Sequence, residues 1–211
     1  MKWFWPRDLW IQIGELTVEH LWLTAIAMLI AIAIAVPLGI WLAERPRLAR
    51  GFLGATNIVQ TIPSLALFGL LLPLPWLGER AARIAIVALA AYALLPILRN
   101  TYEGLRGLDP VLISASEAIG LTWWQRLRWV RLPLAAGFIL AGIRTATVIC
   151  VGIATIAAAI GAGGLGELIF RGVASVDNRL VLAGALPAAA LALAADASLG
   201  LMQRFFWRPQ K

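Results

Sequence analysis

The sequence contains little charge and few of the residue types that build catalytic or metal sites. Of its 211 residues 14% are charged and 61% are hydrophobic, and it has one cysteine and one histidine. This composition, with a mean hydropathy of +0.85, excludes an ordinary soluble domain and predicts an integral membrane protein. The lone Cys150 excludes a disulfide framework within the chain. No catalytic triad, carboxylate pair or metal-ligand set can be assembled on one side of the membrane, so we expect no enzyme.

Breaks in composition are also missing. No Ser/Gly tract, Pro-rich spacer or run of like charge divides the chain, so we predict one transmembrane domain over residues 1–211. The net charge is +7, but the basic residues are scattered singly between apolar runs, which excludes the basic face of a nucleic-acid-binding protein. The first apolar run is too long for a signal-peptide core, and we expect no cleavage there.

Five apolar stretches are candidates for membrane spans. They cover residues 21–43, 51–78, 84–98, 134–160 and 180–201. The first exceeds the roughly 20 residues that cross a bilayer core, whereas the third has to extend into its flanks to span. Single charges, Arg144 and Asp196, interrupt the fourth and fifth. His20, beside the first stretch, is expected at the membrane interface.

Lys and Arg are distributed unevenly between the loops that these spans define. Of the 18 basic residues, eleven lie on the side that holds residues 99–133 and the C-terminus, six lie on the opposite side, and Arg144 is within a span. Cytoplasmic loops carry the excess of positive charge. We therefore predict a cytoplasmic C-terminus and an external N-terminus.

The longest polar connection, residues 99–133, carries the most specific pattern. Gly120 is followed after nine residues by Val130, and then by Leu132 and Pro133. This spacing resembles the signature cytoplasmic loop of bacterial ABC importer permeases, in which an Ile-x-Leu-Pro follows the glycine at the same distance. In that loop a Glu-Ala-Ala triplet stands three residues before the glycine.

The triplet is altered in this chain, because Ser114-Ala115-Ser116 stands in its place and the nearest glutamate follows about one helical turn later. The resemblance implies a helix from about Pro110 onward that couples the permease to an ATPase, and we also place Trp123, Trp124 and Trp129 on it. A simple surface-bound amphipathic helix is the alternative. The residues implied in coupling are Ser114, Ala115, Ser116, Glu117, Ala118, Gly120, Leu132 and Pro133.

Four further segments, residues 57–64, 95–102, 141–145 and 160–166, extend the resemblance over most of the chain. Together they resemble the permease subunits of importers for osmoprotectants such as glycine betaine, carnitine and choline. The resemblance implies an all-α membrane protein with about five transmembrane helices, a cytoplasmic coupling helix and the type I ABC importer permease fold. It also implies location in the bacterial cytoplasmic (inner) membrane, in contact with membrane lipid.

The partners that this resemblance implies are a second permease chain, identical or a paralogue, two cytoplasmic ATPase subunits and an external substrate-binding protein. No cofactor is expected in this chain, because ATP and Mg belong to the ATPase. Two alternatives remain open: an amino-acid-type ABC importer permease, and a membrane scaffold or channel subunit without energised transport. The glycines of residues 161–166 follow an apolar helix and lack a Lys-Ser/Thr ending, so they indicate a tight external turn and not a phosphate loop.

A polar set interrupts the second apolar stretch. Asn57, Gln60, Thr61 and Ser64 recur at intervals of three and four residues, which places them on one face of a helix. Pro63 would open a backbone carbonyl beside them. We predict that they line the translocation pathway, and hydrogen bonding between helices is the alternative.

Arg144 and Asp196 are the two charges inside spans. Charges left unpaired near the bilayer centre cost about 2.5 to 3.5 kcal/mol on insertion scales. Counted from the cytoplasmic ends of their spans, the two residues reach similar depths. An ion pair between adjacent antiparallel helices is one arrangement that satisfies both, and Arg144 lining the pathway or facing backbone carbonyls is the other.

Overall fold

The computed structural model describes residues 7–74 and 80–206, and every regular element within those ranges is helical. In chain order the helices are α1 (Arg7–Ala43), α2 (Pro46–Thr61), α3 (Ser64–Leu71), α4 (Ala81–Arg106), α5 (Pro110–Ala118), α6 (Trp123–Arg126), α7 (Leu132–Ala157), α8 (Gly166–Ala174) and α9 (Asn178–Phe206). A π-helical turn (Leu127–Arg131) joins α6 to α7, and a 3₁₀ turn (Ala158–Ile160) continues α7. The all-α fold class is therefore confirmed.

Four long helical segments are apolar enough to cross a membrane: α1, α4, the rod from Trp123 to Ile160, and α9. The remaining predicted span consists of α2 and α3, which bend by 99° and form either a broken span or a re-entrant loop. Pro63 lies at the bend, where it has no N–H to donate and disfavours a helical conformation in Ile62. Four to five spans agree with the prediction, but the second is not one straight helix.

α1 begins well before the first apolar stretch, because Glu15 and Glu19 interrupt hydropathy without interrupting a helix. Most of the buried residues between Ile13 and Ala35 recur three or four positions apart: Ile13, Leu16, His20, Leu23, Ala27, Ala31 and Ala35. His20 belongs to this stripe and has no exposed surface. The sequence did not predict this burial, because residue 20 was taken for the edge of a helix that in fact begins at Arg7. The position of His20 at the membrane interface stays a prediction.

α4 packs against both α1 and α7 and forms the centre of the bundle. Glycines permit the close approach at both contacts. A Cβ at Gly39 of α1 would lie 2.7 Å from the Cβ of Thr101, and a Cβ at Gly142 of α7 would lie 2.7 Å from the carbonyl oxygen of Pro96. Small residues let backbones meet in this way when lipid supplies no hydrophobic driving force between helices.

The connection between α4 and α7 contains two helices where the sequence predicted one. α5 ends at Ala118, and the turn after it contains Gly120, whose φ of +82° suits glycine. Gly120 N donates to Glu117 O and Leu121 N donates to Ser116 O. Thr122 then caps a new helix in a reciprocal capping box with Gln125. The three tryptophans predicted on the coupling helix therefore lie at the head of the fourth span, which corrects that assignment.

Candidate coupling and translocation sites

α5 is a short helix with a defined start. The side chain of Asp109 accepts a hydrogen bond from Val111 N at 2.8 Å, and Pro110 occupies the first turn, where its missing N–H costs nothing. Of its nine residues only Ser116 is buried, and its hydroxyl donates to Ile113 O at 2.6 Å. Of the predicted coupling residues 114–118, all except Ser116 are therefore exposed.

One exposed face of α5 is apolar. Val111 is 70% exposed and Ile119, directly after the helix, is 76% exposed. Ala115, Ala118 and Ile119 follow Val111 by four, seven and eight positions, which is the spacing of one helical face. An exposed apolar face on a short helix is the arrangement by which helices dock into grooves of partner proteins.

Two ion pairs surround the connection between α5 and the fourth span. Glu117 of α5 pairs with Arg126, the last residue of α6. Glu44, directly after α1, pairs with Arg131 at the end of the π-helical turn. Between them is a cavity of about 320 Å³ that Ser114 and Arg106 also line. The sequence predicted neither pair.

The last two predicted coupling residues lie apart from α5. Leu132 and Pro133 form the first turn of α7, and Leu132 N donates to Leu127 O, which is the wide hydrogen bond of the π-helical turn. Pro133 has no N–H, so the turn before it cannot keep the ordinary α-helical pattern. The motif therefore spans two elements: α5 and the start of the fourth span.

The predicted polar face of the second stretch is divided by the bend. Gln60 and Thr61 end α2, whereas Ser64 begins α3 on the other side of the 99° break. The prediction that all four residues share one helical face was therefore wrong, because Pro63 ends the helix instead of only opening a carbonyl. Asn57 and Thr61 are exposed, and Thr61 Oγ1 donates to Ile58 O at 2.7 Å.

Gln60 makes a hydrogen bond between helices, which was the alternative to a pathway role for these polar residues. Its Nε2 donates to the carbonyl oxygen of Tyr92 in α4 at 2.9 Å. That carbonyl is available because Pro96, four residues later in α4, has no N–H to donate to it. The hydroxyl of Tyr92 donates in return to Ile62 O at the bend. The α2–α3 break is thus fixed to the proline site of α4.

Arg144 and Asp196 form a bidentate ion pair between α7 and α9. The distances are 2.5 Å from Nε to Oδ1 and 2.6 Å from Nη2 to Oδ2, and the side chains are 37% and 39% exposed. Gly200 of α9 makes room for it, since a Cβ there would lie 3.1 Å from the guanidinium carbon of Arg144. The predicted pair is confirmed, and a pathway role for Arg144 stays a prediction.

The glycine-rich segment forms a tight turn between α7 and α8. Gly161, Gly163 and Gly164 have φ values of +78°, +86° and +81°. Gly164 N donates to Oε2 of Glu19 in α1 at 3.1 Å, and His20 Nε2 lies 3.1 Å from Val151 O of α7. Glu19 therefore attaches the turn to α1, and the next residue of α1, His20, contacts α7.

Comparison with known proteins assigns this arrangement to a family. The family described as the binding-protein-dependent transport system inner membrane component matches residues 35–208. The chain belongs to this family. It is therefore an inner-membrane permease subunit of a binding-protein-dependent ABC importer, as the loop spacing predicted.

Relatives with high identity cover nearly the whole chain. The osmoprotectant import permease protein OsmW of Salmonella typhimurium is 47% identical over 193 residues, 90% of each chain. The glycine betaine/carnitine/choline transport system permease protein OpuCB of Bacillus subtilis is 43% identical over 90% of this chain and 88% of its own. The carnitine transport permease protein OpuCD of Listeria monocytogenes is 42% identical over 90% and 86%.

Solved structures support the fold. Inward-facing forms of the MetNI methionine ABC transporter match with TM-scores of 0.82 and 0.85 at 24% and 23% identity, over 97% of this chain and 100% of that chain. Identities this low carry the fold alone. The type I ABC importer permease fold is confirmed.

In this permease fold, several residues that position the sites were absent from the sequence predictions. Glu44 and Tyr92 contact partners 87 and 30 positions away in the chain, and no local spacing reveals such pairs. Arg126 pairs with Glu117 of the preceding helix. Two signals were readable. The Thr122–Gln125 capping box marks a helix start, and the stripe of buried residues in α1 passes through His20.

Proposed function

We propose that this permease forms a translocation pathway for a small osmoprotectant such as glycine betaine, choline or carnitine, together with a second permease chain that is identical or a paralogue. The support is the relatives at 42–47% identity, whose names give these substrates. The match covers 86–90% of the length of each of these relatives. Substrate enters from an external binding protein in this proposal.

The observation that carries the proposal is the exposed apolar face of α5, attached by Glu117 to the head of the fourth span. In this proposal α5 docks on one of two cytoplasmic ATPase subunits, which bind ATP and Mg and carry out the hydrolysis, so this chain needs no cofactor. The uneven distribution of basic residues supports a cytoplasmic C-terminus and an external N-terminus.

The proposed pathway includes the polar residues near the α2–α3 bend, Asn57, Gln60, Thr61 and Ser64, and Arg144 of α7. Asn57 and Thr61 are exposed, whereas Gln60 donates a hydrogen bond to Tyr92 O. Cysteines at positions 57 and 61, in a Cys150→Ser background, should react with a small water-soluble thiol reagent faster than a cysteine at position 60. Complete protection of positions 57 and 61 with and without trapped ATP would contradict a pathway role.

Transport assays test the function directly. Proteoliposomes containing the permease pair, its ATPase and its binding protein should take up radiolabelled glycine betaine, choline or carnitine only when ATP is present. Methionine and histidine serve as the amino-acid comparison. Uptake of an amino acid without uptake of any osmoprotectant would indicate an amino-acid importer. ATP-independent flux would indicate a channel. The permease without its ATPase should hydrolyse no ATP.

A further inference from the structure

The position of α5 depends on few contacts. The helix has nine residues, and its buried side chain, Ser116, bonds to the helix itself. Isolated helices of this length are marginal in water, so an attachment elsewhere has to hold α5 in place. Among residues 7–74 and 80–206, the ion pair that reaches α5 is Glu117 with Arg126.

The surroundings of Glu117 favour a carboxylate. The cavity beside it is lined by three arginines, Arg106, Arg126 and Arg131, and by Glu117 and Glu44. Glu44 is already paired with Arg131. The Arg126 side chain is 22% exposed and the Glu117 side chain is 54% exposed, so the pair is partly screened by solvent and contributes within the range of exposed ion pairs.

Arg126 is part of the continuous helical segment that forms the fourth span. It ends α6 and is followed without a break by the π-helical turn and α7. At the other end of that turn Arg131 pairs with Glu44, directly after α1. A displacement of α5 therefore reaches the head of α7 through Glu117 and Arg126, while the Glu44 pair holds the next turn against α1.

We propose that Glu117 is a positioning residue: it holds the coupling helix to the head of the fourth span through Arg126, and the movement of α5 reaches α7 through this pair. Ser114, at the position where the motif has its glutamate, lines the same cavity without a charge. The role in coupling rests on the proposed function, whereas the attachment itself does not. The competing role for Glu117 is direct contact with the ATPase.

Charge exchange separates the two roles. Glu117→Gln removes the pair with little change in shape, and Glu117→Arg places a fourth guanidinium beside the cavity. The double variant Glu117→Arg with Arg126→Glu restores an opposite-charge pair with its direction reversed. If Arg126 is the partner, the double variant recovers what the single variants lose. If the ATPase is the partner, reversing Arg126 restores nothing.

The attachment is measured on the permease without its ATPase. A spin label at Ala118→Cys, in a Cys150→Ser background in nanodiscs, reports the mobility of α5 by EPR. We expect Glu117→Gln and Glu117→Arg to raise the mobile fraction by about fivefold, the effect of an ion pair near the upper end of the exposed range. The double variant should return to the mobility of the unmodified chain. Equal mobility in all four proteins would overturn the proposal.

The effect on coupling is measured in the reconstituted importer as ATP hydrolysed per substrate taken up. The Glu117 single variants should raise this ratio, and the double variant should restore it. A double variant that restores EPR mobility but couples no better than Glu117→Arg would overturn the coupling role. If the unmodified importer shows no ATP-driven uptake, the proposed function fails, and the EPR result still decides the attachment.

Glu103→Gln provides the matched control. Glu103 forms an ion pair with Arg99 within α4, at 3.7 Å, with both side chains more than half exposed. This variant removes the same charge near the end of α4 that leads to α5, without changing α5 itself. Neither α5 mobility nor the coupling ratio should change, and a change equal to that of Glu117→Gln would show that net charge, not the attachment, is responsible.

Discussion

The centre of the bundle around α4 and the connection around α5 are held together by different forces. Around α4, Gly39 and Gly142 let helices approach until any added atom would clash, and the packed residues are mostly alanine, leucine and isoleucine. Around α5, the contacts are ion pairs beside an open cavity. The centre is therefore sensitive to changes in side-chain volume, and the connection is sensitive to changes in charge.

The largest expected effect comes from adding one methyl group to the centre. A Cβ in Gly142→Ala would lie 2.7 Å from Pro96 O and 3.1 Å from Ile97 Cα, both backbone atoms that cannot turn aside. Overpacking of this kind costs about 1–3 kcal/mol. Thermal unfolding in detergent should show the loss. Gly152→Ala in the same helix meets nothing within 4 Å, and a similar loss there would contradict the argument from volume.

A loss of stability of similar size is expected at the ion pair between α7 and α9, whose side chains are 37% and 39% exposed. Asp196→Ala leaves Arg144 without its partner inside a span, and this destabilises the folded protein. Asp196→Ala combined with Arg144→Ala should recover much of that loss, because no unpaired charge remains. Thermal unfolding of the two single variants and the double variant measures the coupling. Strictly additive losses would mean that the two charges do not meet in the membrane.

The turn after α5 should affect transport more than global stability. Gly120 has φ +82° and open space around its Cβ position, so a side chain there is opposed by backbone strain of about 1–2 kcal/mol and not by a clash. Gly120→Val should misplace α5 and lower uptake and ATPase association while the protein stays in the membrane. Gly120→Asn, which tolerates this conformation, should retain more of both. Equal activity of the two variants would exclude a role for the turn.

The smallest expected effect tests whether Gln60 serves the proline site. Gln60→Ala should cost about 0.6 kcal/mol, a typical value for a hydrogen bond between membrane helices. In a Pro96→Ala background residue 96 supplies its own N–H to Tyr92 O, so the loss of Gln60 should cost less. Thermal unfolding of the four proteins gives the comparison. A Gln60→Ala penalty that is identical in both backgrounds would separate Gln60 from Pro96.

Hydropathy predicts the spans well because lipid requires long apolar helices, and the loop spacing predicts the family. The ends of the helices are harder. The charges at Glu15 and Glu19 hid the first part of α1, and Pro63 was interpreted as a local distortion when it ends α2. The Thr122–Gln125 capping box was in the sequence and shows that the tryptophans begin a new helix.

The candidate sites were only partly predictable for a related reason. Arg144 and Asp196 could be matched because each is a single charge inside a span of known direction. Glu117 and Arg126 lie in a connection with several arginines, where the sequence offers many equivalent partners. Which arginine pairs with Glu117 depends on how the chain turns at Gly120 after α5, and this is a feature of the tertiary structure.

The Gln60 contact has a consequence for how the protein is made. Lipid offers no hydrogen-bond donor, so the Tyr92 carbonyl that Pro96 leaves open requires one from protein. Gln60 precedes α4 in the chain and is already synthesised when α4 leaves the ribosome. The order of the chain therefore provides the donor for the Tyr92 carbonyl before α4 enters the bilayer.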